Sequence, residues 1–443
     1  MKFDPSDRKF PELQAHQLEE LQSEGPVSGV GLRKKLSISQ IRTRASRAGT
    51  GVRAAPVKIT FDGCKPGRVG LGTDGPLMHC CPPMPKGPIV DFVPVRNMSK
   101  PLRVRKALQC LEGEELEIYV QKLRKGYALM RALPLDDPRC LEQHRMCHCA
   151  HSTGAYTCQG VGVDIHFGWL FYPFHRFFLY FHERILQHLL GDPDFTLHFW
   201  NWDNAGQGGC GKPGDIIPPM YADPTQHSTF HHNRHNRTYH PDLVVDLWVD
   251  AWNETRLPGG FSKEVTKARN LETMHWAMIT LKDAPEGFSG RVYRAGYPRV
   301  TPYVGAGTLE VSAHGALHKW VGIDMDDFSF AAGDPLFYPH HENIDRLWDV
   351  WRNLSPNNTV PNDPDFLDAE FLFYDENIVL RRMKARHALD MSAFGYEYED
   401  VPNVEWLTQG KGDAGVAPPA DEMPQLAEDL SELTLSDGSE RTF

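Results

Sequence analysis

Residues 166–186 read HFGWLFYPFHRFFLYFHERIL, and this stretch decides the fold class. After Pro173 the sequence predicts a long helix whose apolar side chains cover nearly every face, so the helix should be buried in the core. The stretch also carries three histidines, His166, His175 and His182. Because a buried imidazole needs a hydrogen bond or a metal ion, the stretch predicts a histidine site inside a helical core.

Other helices and a few strands are predicted around this helix. Residues 103–133 have the apolar spacing of a helix that Pro134 closes, and residues 308–320 and 341–353 are two amphipathic candidates. After Pro364 the pattern changes to the alternation and turn signals of short strands. The sequence therefore predicts a mainly α fold with long loops and a small C-terminal β cap.

Composition divides the chain into four segments. Residues 1–60 are basic, poor in acidic side chains after Glu24, and predicted to be a disordered or transit-like extension. Residues 409–443 are predicted to be an acidic disordered tail. Between them we expect a histidine-bearing domain over 61–360 and a β-rich cap over 361–408.

Charge and hydropathy exclude two classes of partner. The 443 residues carry 47 basic and 58 acidic side chains, a formal net charge of −11, which disfavours binding to nucleic acid. No apolar run reaches the ~18 residues of a membrane span. The composition leaves the oligomeric state open.

Histidines concentrate in two neighbourhoods. The first contains His148, His166 and His175, and the second contains His314, His318, His340 and His341. His314 and His318 are four residues apart, on one helical face, where they could share a metal ion. All-histidine ligation favours copper, zinc, iron or nickel over calcium and magnesium. The Glu that follows the first His in HExxH zinc proteases is missing here.

A rival histidine-rich stretch lies at residues 227–240. It contains its own pair at a spacing of four, His231 and His235. It lacks flanking apolar residues, so we interpret it as an exposed polar loop.

Several strings, in order along the chain, carry a resemblance to a known family. They include CCPPMPKGPIVDF, LPLDDPR, HCAH, LHFWNWDN and DPLFYPHHENIDRLW. From about Cys64 to Trp406 the chain resembles plant-type polyphenol oxidases (catechol oxidases and tyrosinases), members of the type-3 copper proteins. The resemblance implies a four-helix bundle holding a dinuclear copper centre, with O2 as co-substrate. It also implies the ligands, which are His148, His166 and His175 for the first copper and His314, His318 and His341 for the second.

The resemblance implies roles for further residues near the second copper. His340 would be a neighbour and not a ligand, and Phe337 would pack against the imidazoles. Phe328 matches an aromatic gate over the second copper, and Glu310 matches a carboxylate that holds a water for substrate deprotonation. Alternatively, the two Phe are core aromatics and Glu310 is a solvated charge on a helix face.

Asp345 lies four residues after His341, a spacing at which its carboxylate could orient the helix or act as an outer partner of the site.

Nine cysteines leave at least one unpaired. The resemblance implies two disulfides, Cys64 with Cys81 and Cys80 with Cys149. Stable disulfides need an oxidising compartment, so we expect a plastid (thylakoid lumen) location or another lumenal or secreted route. The sequons at Asn97, Asn236, Asn253, Asn353 and Asn357 fit such a route.

The chain departs from the family pattern in three places. Ser152 stands where plant enzymes have a cysteine bonded to the second histidine, so we expect His166 to lack a thioether unless Cys158 replaces it. Gly315 stands where many monophenol-hydroxylating members have Asn. The chain ends soon after YEYEDV, so we expect no C-terminal domain of the kind that covers the copper site in plant proenzymes.

These observations predict a copper-dependent oxidation of o-diphenols to o-quinones, with weak or absent hydroxylation of monophenols. Small phenols would be the substrates. Three rival functions remain at this point: a haemocyanin-like oxygen carrier, a zinc hydrolase built on His314 and His318, and a storage protein with degenerate sites.

Overall fold

The structure is a computed structural model. It describes residues 55–68, 76–204, 210–222, 230, 233–240, 242–248, 262–280, 285–297, 305–401 and 405–408. The predicted acidic tail, and the predicted extension before residue 55, lie outside these residues. The part of the extension that is described belongs to the folded body, because Val57 and Ile59 are buried and Lys58 forms a β-bridge with Glu370.

The described part of the chain is mainly helical. Its helices are α1 (Gly113–Ala132), α2 (Leu141–Ser152), α3 (Phe171–Leu190), α4 (Lys263–His275), α5 (Pro285–Ser289), α6 (Gly315–Val321), α7 (Phe337–Leu354), α8 (Pro364–Leu367) and α9 (Glu405–Thr408). A π-helical turn, Trp276–Thr280, directly follows α4. A second one, Glu310–His314, directly precedes α6.

Short strands surround the helices. They are β1 (Gly67–Arg68), β2 (Leu77–Met78), β3 (Val90–Asp91), β4 (Arg103–Arg105), β5 (Thr157–Cys158), β6 (Val161–Gly162), β7 (Glu370–Tyr374), β8 (Leu380–Lys384) and β9 (Tyr396–Tyr398). Strands β3, β8 and β7 form a three-stranded sheet in which β3 runs parallel to β8 and β7 antiparallel to it. β4 pairs in parallel with β9. The predicted C-terminal β cap is therefore present, and the N-terminal segment adds two strands to it.

Helix α3 is the centre of the core, as its sequence predicts. Its residues from Phe171 to Glu183 are all buried. It packs against α1 and α7, and Tyr172 stacks between Phe288 and Trp348 with ring centroids 5.0 and 5.3 Å away. Helices α2, α3, α6 and α7 form the predicted four-helix bundle, and all seven histidines of the two neighbourhoods lie on or beside them.

The predicted helix over 103–133 is wrong at its beginning. Arg103–Arg105 is strand β4, a 3₁₀ turn follows at Leu108–Cys110, and α1 begins only at Gly113. Gly113 has φ +50°, a backbone conformation that other residues adopt at a cost. Parallel pairing with β9, nearly 300 residues later, overrides the local helical pattern.

A buried charge cluster joins the strands to the bundle. Arg105 donates to Glu183 of α3 at 3.0 Å and to Glu342 of α7 at 2.5 Å, and its guanidinium lies 3.4 Å from the ring centre of Tyr396 on β9. All three charged side chains are fully buried. No described helix is long and apolar enough to cross a membrane.

Candidate metal centre

The first histidine cluster combines a helix, a loop and the start of a second helix. His148 lies on α2, His166 lies in the loop before α3, and His175 lies in α3. One ligand atom from each lies within 4.8 Å of the others. His148 donates from Nδ1 to the carbonyl of Phe328 at 2.9 Å, and His175 donates to the carbonyl of Phe171 at 2.9 Å. Each bond directs the lone pair of Nε2 towards the interior of the cluster.

His166 is oriented by a carboxylate two residues before it. Its backbone N–H donates to Asp164 Oδ1 at 3.0 Å, and its Nδ1 lies 3.4 Å from the same oxygen. Asp164 is buried and was not among the residues predicted from the sequence. Its position two residues before a candidate ligand was a signal available in the sequence.

The second cluster contains four histidines, His314, His318, His340 and His341. His314 closes the π-turn and donates from Nδ1 to the carbonyl of Glu310 at 3.0 Å, while His318 on α6 donates to the carbonyl of Met325 at 2.5 Å. The Nε2 atoms of His318 and His341 lie 3.2 Å apart. Two nitrogens bound at about 2.0–2.1 Å to one tetrahedral ion would be separated by about 3.3 Å.

His340 lies inside the second cluster as well. Its ring is 5.3 Å from that of His314 and 4.9 Å from that of His318, and the side chain is fully buried. It also contacts the ring of Trp202, whereas His341 stacks on His175 of the first cluster. The choice of His341 as the ligand stays a prediction that these contacts support.

The two clusters adjoin each other. The rings of His175 and His341 stack with centroids 4.2 Å apart. Phe337 stacks on His341 at 4.0 Å and meets the edge of His148 at 5.2 Å, so it packs against both clusters and not against the second alone. Two ions bound in these clusters would therefore be neighbours in one site.

Burial keeps the imidazoles neutral. The pKa of His148, His175, His314, His340 and His341 is lowered well below its usual value by burial, and neighbouring imidazoles lower it further. Burial lowers the pKa of His318 to about 4. A neutral imidazole is the form that binds a metal ion.

Unpaired buried nitrogens indicate what the site is built to hold. Nε2 of His175 and Nε2 of His314 are buried without a hydrogen-bond partner among the described residues, while Nδ1 of each ring donates to a carbonyl. Buried polar atoms are normally paired, so one unpaired Nε2 in each cluster fits the binding of a metal ion. With two groups of neutral imidazoles, the residues fit a pair of first-row transition-metal ions.

Glu310 is buried and is not a solvated charge. Its Oε1 accepts from the backbone N–H of Phe167 at 2.6 Å, and its Oε2 accepts from Gly307 N–H at 3.3 Å. Burial raises the pKa of Glu310 to about 8, although the two backbone N–H groups favour the charged form. The carboxylate therefore ties the π-turn that carries His314 to the residue after His166.

Phe328 lies at a different place from the one the resemblance implies. Its ring lies 4.3 Å from that of His166 in the first cluster and 5.8 Å from that of Phe167. The bond from His148 to the Phe328 carbonyl accounts for this placement, because it holds the loop beside the first cluster.

Asp345 acts between helices and makes no hydrogen bond with His341 among the described contacts. Its Oδ1 accepts from Arg176 Nε at 2.6 Å, and its Oδ2 accepts from Tyr396 and Tyr398 at 2.7 and 2.8 Å. Arg176 directly follows His175. Asp345 thus fixes α7 against the part of α3 that carries a candidate ligand.

That His166 lacks a thioether stays a prediction, and the hydrogen bonds of the two side chains concerned are the following. Ser152 donates its hydroxyl to the carbonyl of His148 at 2.7 Å. The sulfur of Cys158 accepts from the backbone N–H of Lys58 at 3.3 Å, and the thiol is free.

The structure pairs six of the nine cysteines. Cys64 bonds to Cys81 and Cys80 to Cys149, which are the pairs that the resemblance implies, and Cys110 bonds to Cys210 in a third disulfide that was not predicted.

The histidine-rich stretch is only partly described. His227, His231 and His232 lie outside the described residues, and His240 is exposed, as predicted. His235 differs from that prediction, because it is half-buried and its ring fills the space beside Gly322. Arg234, beside it, is 4% exposed and pairs with buried Asp334.

Two family models match the chain. The common central domain of tyrosinase matches residues 139–354, and the polyphenol oxidase middle domain matches residues 361–410. The crystal structure of Grenache (Vitis vinifera) polyphenol oxidase superposes with a TM-score of 0.69 at 34% identity, over 80% of this chain and 99% of that one. The chain belongs to the plant polyphenol oxidase family.

The curated relatives that the chain matches are longer than it is. Aureusidin synthase of Antirrhinum majus is 37% identical over 378 residues, which are 82% of this chain and 62% of that relative. The latent, chloroplastic polyphenol oxidase of Prunus armeniaca is 39% identical over 369 residues, which are 80% of this chain and 56% of the relative. The chain thus spans about 60% of the length of these relatives. The cofactor is the dinuclear type-3 copper centre of the family.

Proposed function

We propose that the chain oxidises o-diphenols to o-quinones at a dinuclear copper centre and reduces O2 to water, with weak or absent hydroxylation of monophenols. The observation that carries this proposal is the pair of adjoining, buried, neutral histidine clusters. The balanced reaction converts two catechols and one O2 into two o-quinones and two waters. Each catechol loses two electrons and two protons.

The copper pair supplies the exchange of electrons between catechol and O2. We assign His148, His166 and His175 to the first ion and His314, His318 and His341 to the second. Burial keeps the imidazoles of four of them neutral, and carbonyl acceptors fix the rotation of the same four, His148, His175, His314 and His318. Phe337 packs against both ligand groups.

Glu310 is the group best placed to hold a proton near the site. Its raised pKa, about 8, means that it takes up a proton more readily than an exposed Glu. Phe328 covers His166 and would limit the approach of a phenol ring from that side. A substrate would therefore approach from the side of the second cluster.

Metal content and turnover of the purified protein test the class of function. We expect about two coppers per chain and rapid oxidation of 4-methylcatechol, with activity lost when any of the six assigned histidines is changed to Ala. The matched control is His240→Ala, at an exposed histidine outside both clusters. Stoichiometric zinc would indicate a hydrolase, and two coppers with O2 binding but no turnover would indicate an oxygen carrier. If His340→Ala abolishes copper binding and His341→Ala does not, the assignment within that pair is wrong.

Gly315 gives a test of the preference for diphenols. Hydroxylation needs the phenol to be deprotonated in place, and a water held by Glu310 would need a second polar group to orient it. Gly315 supplies no side chain, and a Cβ there would meet only the carbonyl of Glu310, at 3.4 Å. We expect Gly315→Asn to fold normally and to raise tyramine hydroxylation severalfold over the unmodified chain. Tyramine turnover by the unmodified chain as fast as catechol turnover would contradict the proposed preference.

We also propose a plastid location, in the thylakoid lumen. The Prunus relative is named chloroplastic, and three disulfides in this structure suit an oxidising compartment. Import of the chain into isolated chloroplasts, followed by fractionation, tests this location. Glycosylation of the sequons in plant cells would instead indicate a secretory route.

A further inference from the structure

One loop carries a backbone acceptor for each histidine cluster. Residues 322–336, which we call the bridging loop, connect α6 to α7. The carbonyl of Phe328 accepts from His148 in the first cluster, and the carbonyl of Met325 accepts from His318 in the second. Any movement of this loop would therefore rotate one candidate ligand of each ion.

The bridging loop is fixed by a buried ion pair at its C-terminal end. Arg234 donates from Nε to Asp334 Oδ2 at 2.6 Å and from Nη2 to Oδ1 at 2.5 Å. Asp334 is fully buried, and its Oδ1 also accepts from the backbone N–H of Leu336, directly before α7. The same carboxylate therefore joins the loop to the helix that carries His341.

Arg234 connects the loop to a distant part of the chain. Its remaining N–H groups donate to the carbonyls of Tyr221 at 2.8 Å and Phe230 at 3.0 Å. The residues on either side reach the other end of the loop: Asn233 donates to Asp324 at 3.2 Å, and His235 N–H donates to the carbonyl of Val321 at 2.9 Å.

Gly322 shows how closely this segment approaches the loop. A Cβ at Gly322 would lie 1.8 Å from the ring of His235, and its φ of +75° also disfavours other residues. The histidine-rich stretch thus supports the metal centre through the loop and is not a rival metal site in its described part.

We propose that the Arg234–Asp334 pair is a positioning device for both copper sites, acting through the carbonyls of Met325 and Phe328. The pair fixes the bridging loop, and the loop in turn holds His148 and His318, so the effect passes through the backbone of the loop. This inference rests on the proposed dicopper function. It adds that a single ion pair keeps copper bound in each of the two clusters.

A charge-neutral double variant separates positioning from folding stability. Arg234→Met alone leaves Asp334 buried without its partner, so we expect a large loss of thermal stability. Arg234→Met with Asp334→Asn removes both charges and keeps an oxygen that can accept from Leu336. Replacing both members of a buried ion pair is often neutral for stability. The double variant should therefore be more stable than Arg234→Met, although the carbonyls of Tyr221 and Phe230 still lose their donor.

Copper retention is the decisive measurement. We expect the copper-loaded double variant to lose copper to a chelator at least ten times faster than the unmodified protein. We also expect a paramagnetic resonance signal from isolated Cu(II), because a coupled Cu(II) pair is silent and a half-emptied centre is not. If the double variant retains copper as the unmodified protein does, the inference is wrong.

The matched control is an Arg–Asp pair in the C-terminal cap. Arg381 on β8 donates to Asp375 at 2.6 Å, and this carboxylate is fully buried. The pair lies outside the bridging loop and outside the helices that carry the candidate ligands. Arg381→Met with Asp375→Asn should retain copper like the unmodified protein, and equal copper loss in this control would overturn the inference. If the unmodified protein itself binds no copper, the proposed function fails instead.

Discussion

At the scale of single residues, Glu310 and Asp164 hold the two histidine clusters in fixed positions relative to each other. The carboxylate of Glu310, from the segment of His314, accepts from the residue that follows His166. Asp164 accepts from the backbone of His166 itself. Two buried carboxylates therefore fix the one candidate ligand that lies in a loop and not on a helix. The predicted lack of a thioether makes this support more important, because no covalent bond would then restrain the ring of His166.

The predicted absence of the thioether can be tested by the mass of the protein. Three disulfides remove six hydrogens from the reduced chain, two for each bridge. We expect the intact mass to show this loss and no more, with His166 in an unmodified peptide after proteolysis. A loss of eight hydrogens, with the His166 peptide joined to that of Cys158, would contradict the prediction.

The sequence was informative at residues whose chemistry is local. The seven histidines of the two neighbourhoods were identified from motifs, and the structure brings them into two adjoining groups. Asp334 and Arg234 were not identified, because they lie 100 residues apart and each resembles an ordinary surface charge. Phe328 was placed over the wrong cluster, because the path of its loop depends on the bond to His148.

At the scale of elements, pairing between distant segments determines secondary structure that the local sequence pattern does not predict. Residues 103–105 have the spacing of a helix but form β4, because their partner β9 supplies the backbone hydrogen bonds. Helix α3 could be predicted from its own sequence, because nearly every residue in it has the apolar character of a buried helix. The third disulfide could not be predicted in this way, because Cys110 and Cys210 share no local motif.

The third disulfide gives a prediction about the stability of these elements. Cys110 lies in the 3₁₀ turn after β4, and Cys210 is 100 residues later. A bridge that closes so long a loop typically contributes about 2–4 kcal/mol to stability. We expect Cys110→Ser with Cys210→Ser to lower the free energy of unfolding in urea by about this amount.

The control for this variant is Cys140→Ser, which changes a free buried thiol. It should lower the free energy of unfolding by clearly less than the double change does. Equal effects of the two variants would show that the loss comes from burying a hydroxyl and not from opening the loop.

At the scale of the whole molecule, the density of buried histidine predicts sensitivity to acid. Besides the candidate ligands, His144, His151 and His198 are buried, and burial lowers the pKa of each to about 4. An unfolded chain protonates the same side chains near pH 6.5. Between these two values the unfolded state binds more protons than the folded state, so the stability of the folded state falls as the pH falls.

His144 allows this effect to be measured away from the candidate ligands. Its ring packs against Phe178 and His182, so His144→Phe keeps an aromatic ring in place while removing the titratable group. With a folded pKa of about 4, His144 should lower the free energy of unfolding of the metal-free protein by about 2 kcal/mol between pH 7.5 and pH 5. The free energy of unfolding of the variant, measured in urea at each pH, should therefore fall by about 2 kcal/mol less over this range. Copper must be absent, since metal binding to the other histidines would add its own pH dependence. Parallel pH profiles for the two proteins would show that His144 takes up its proton at the same pH in the folded and unfolded states, and burial of His144 would then not contribute to the acid sensitivity.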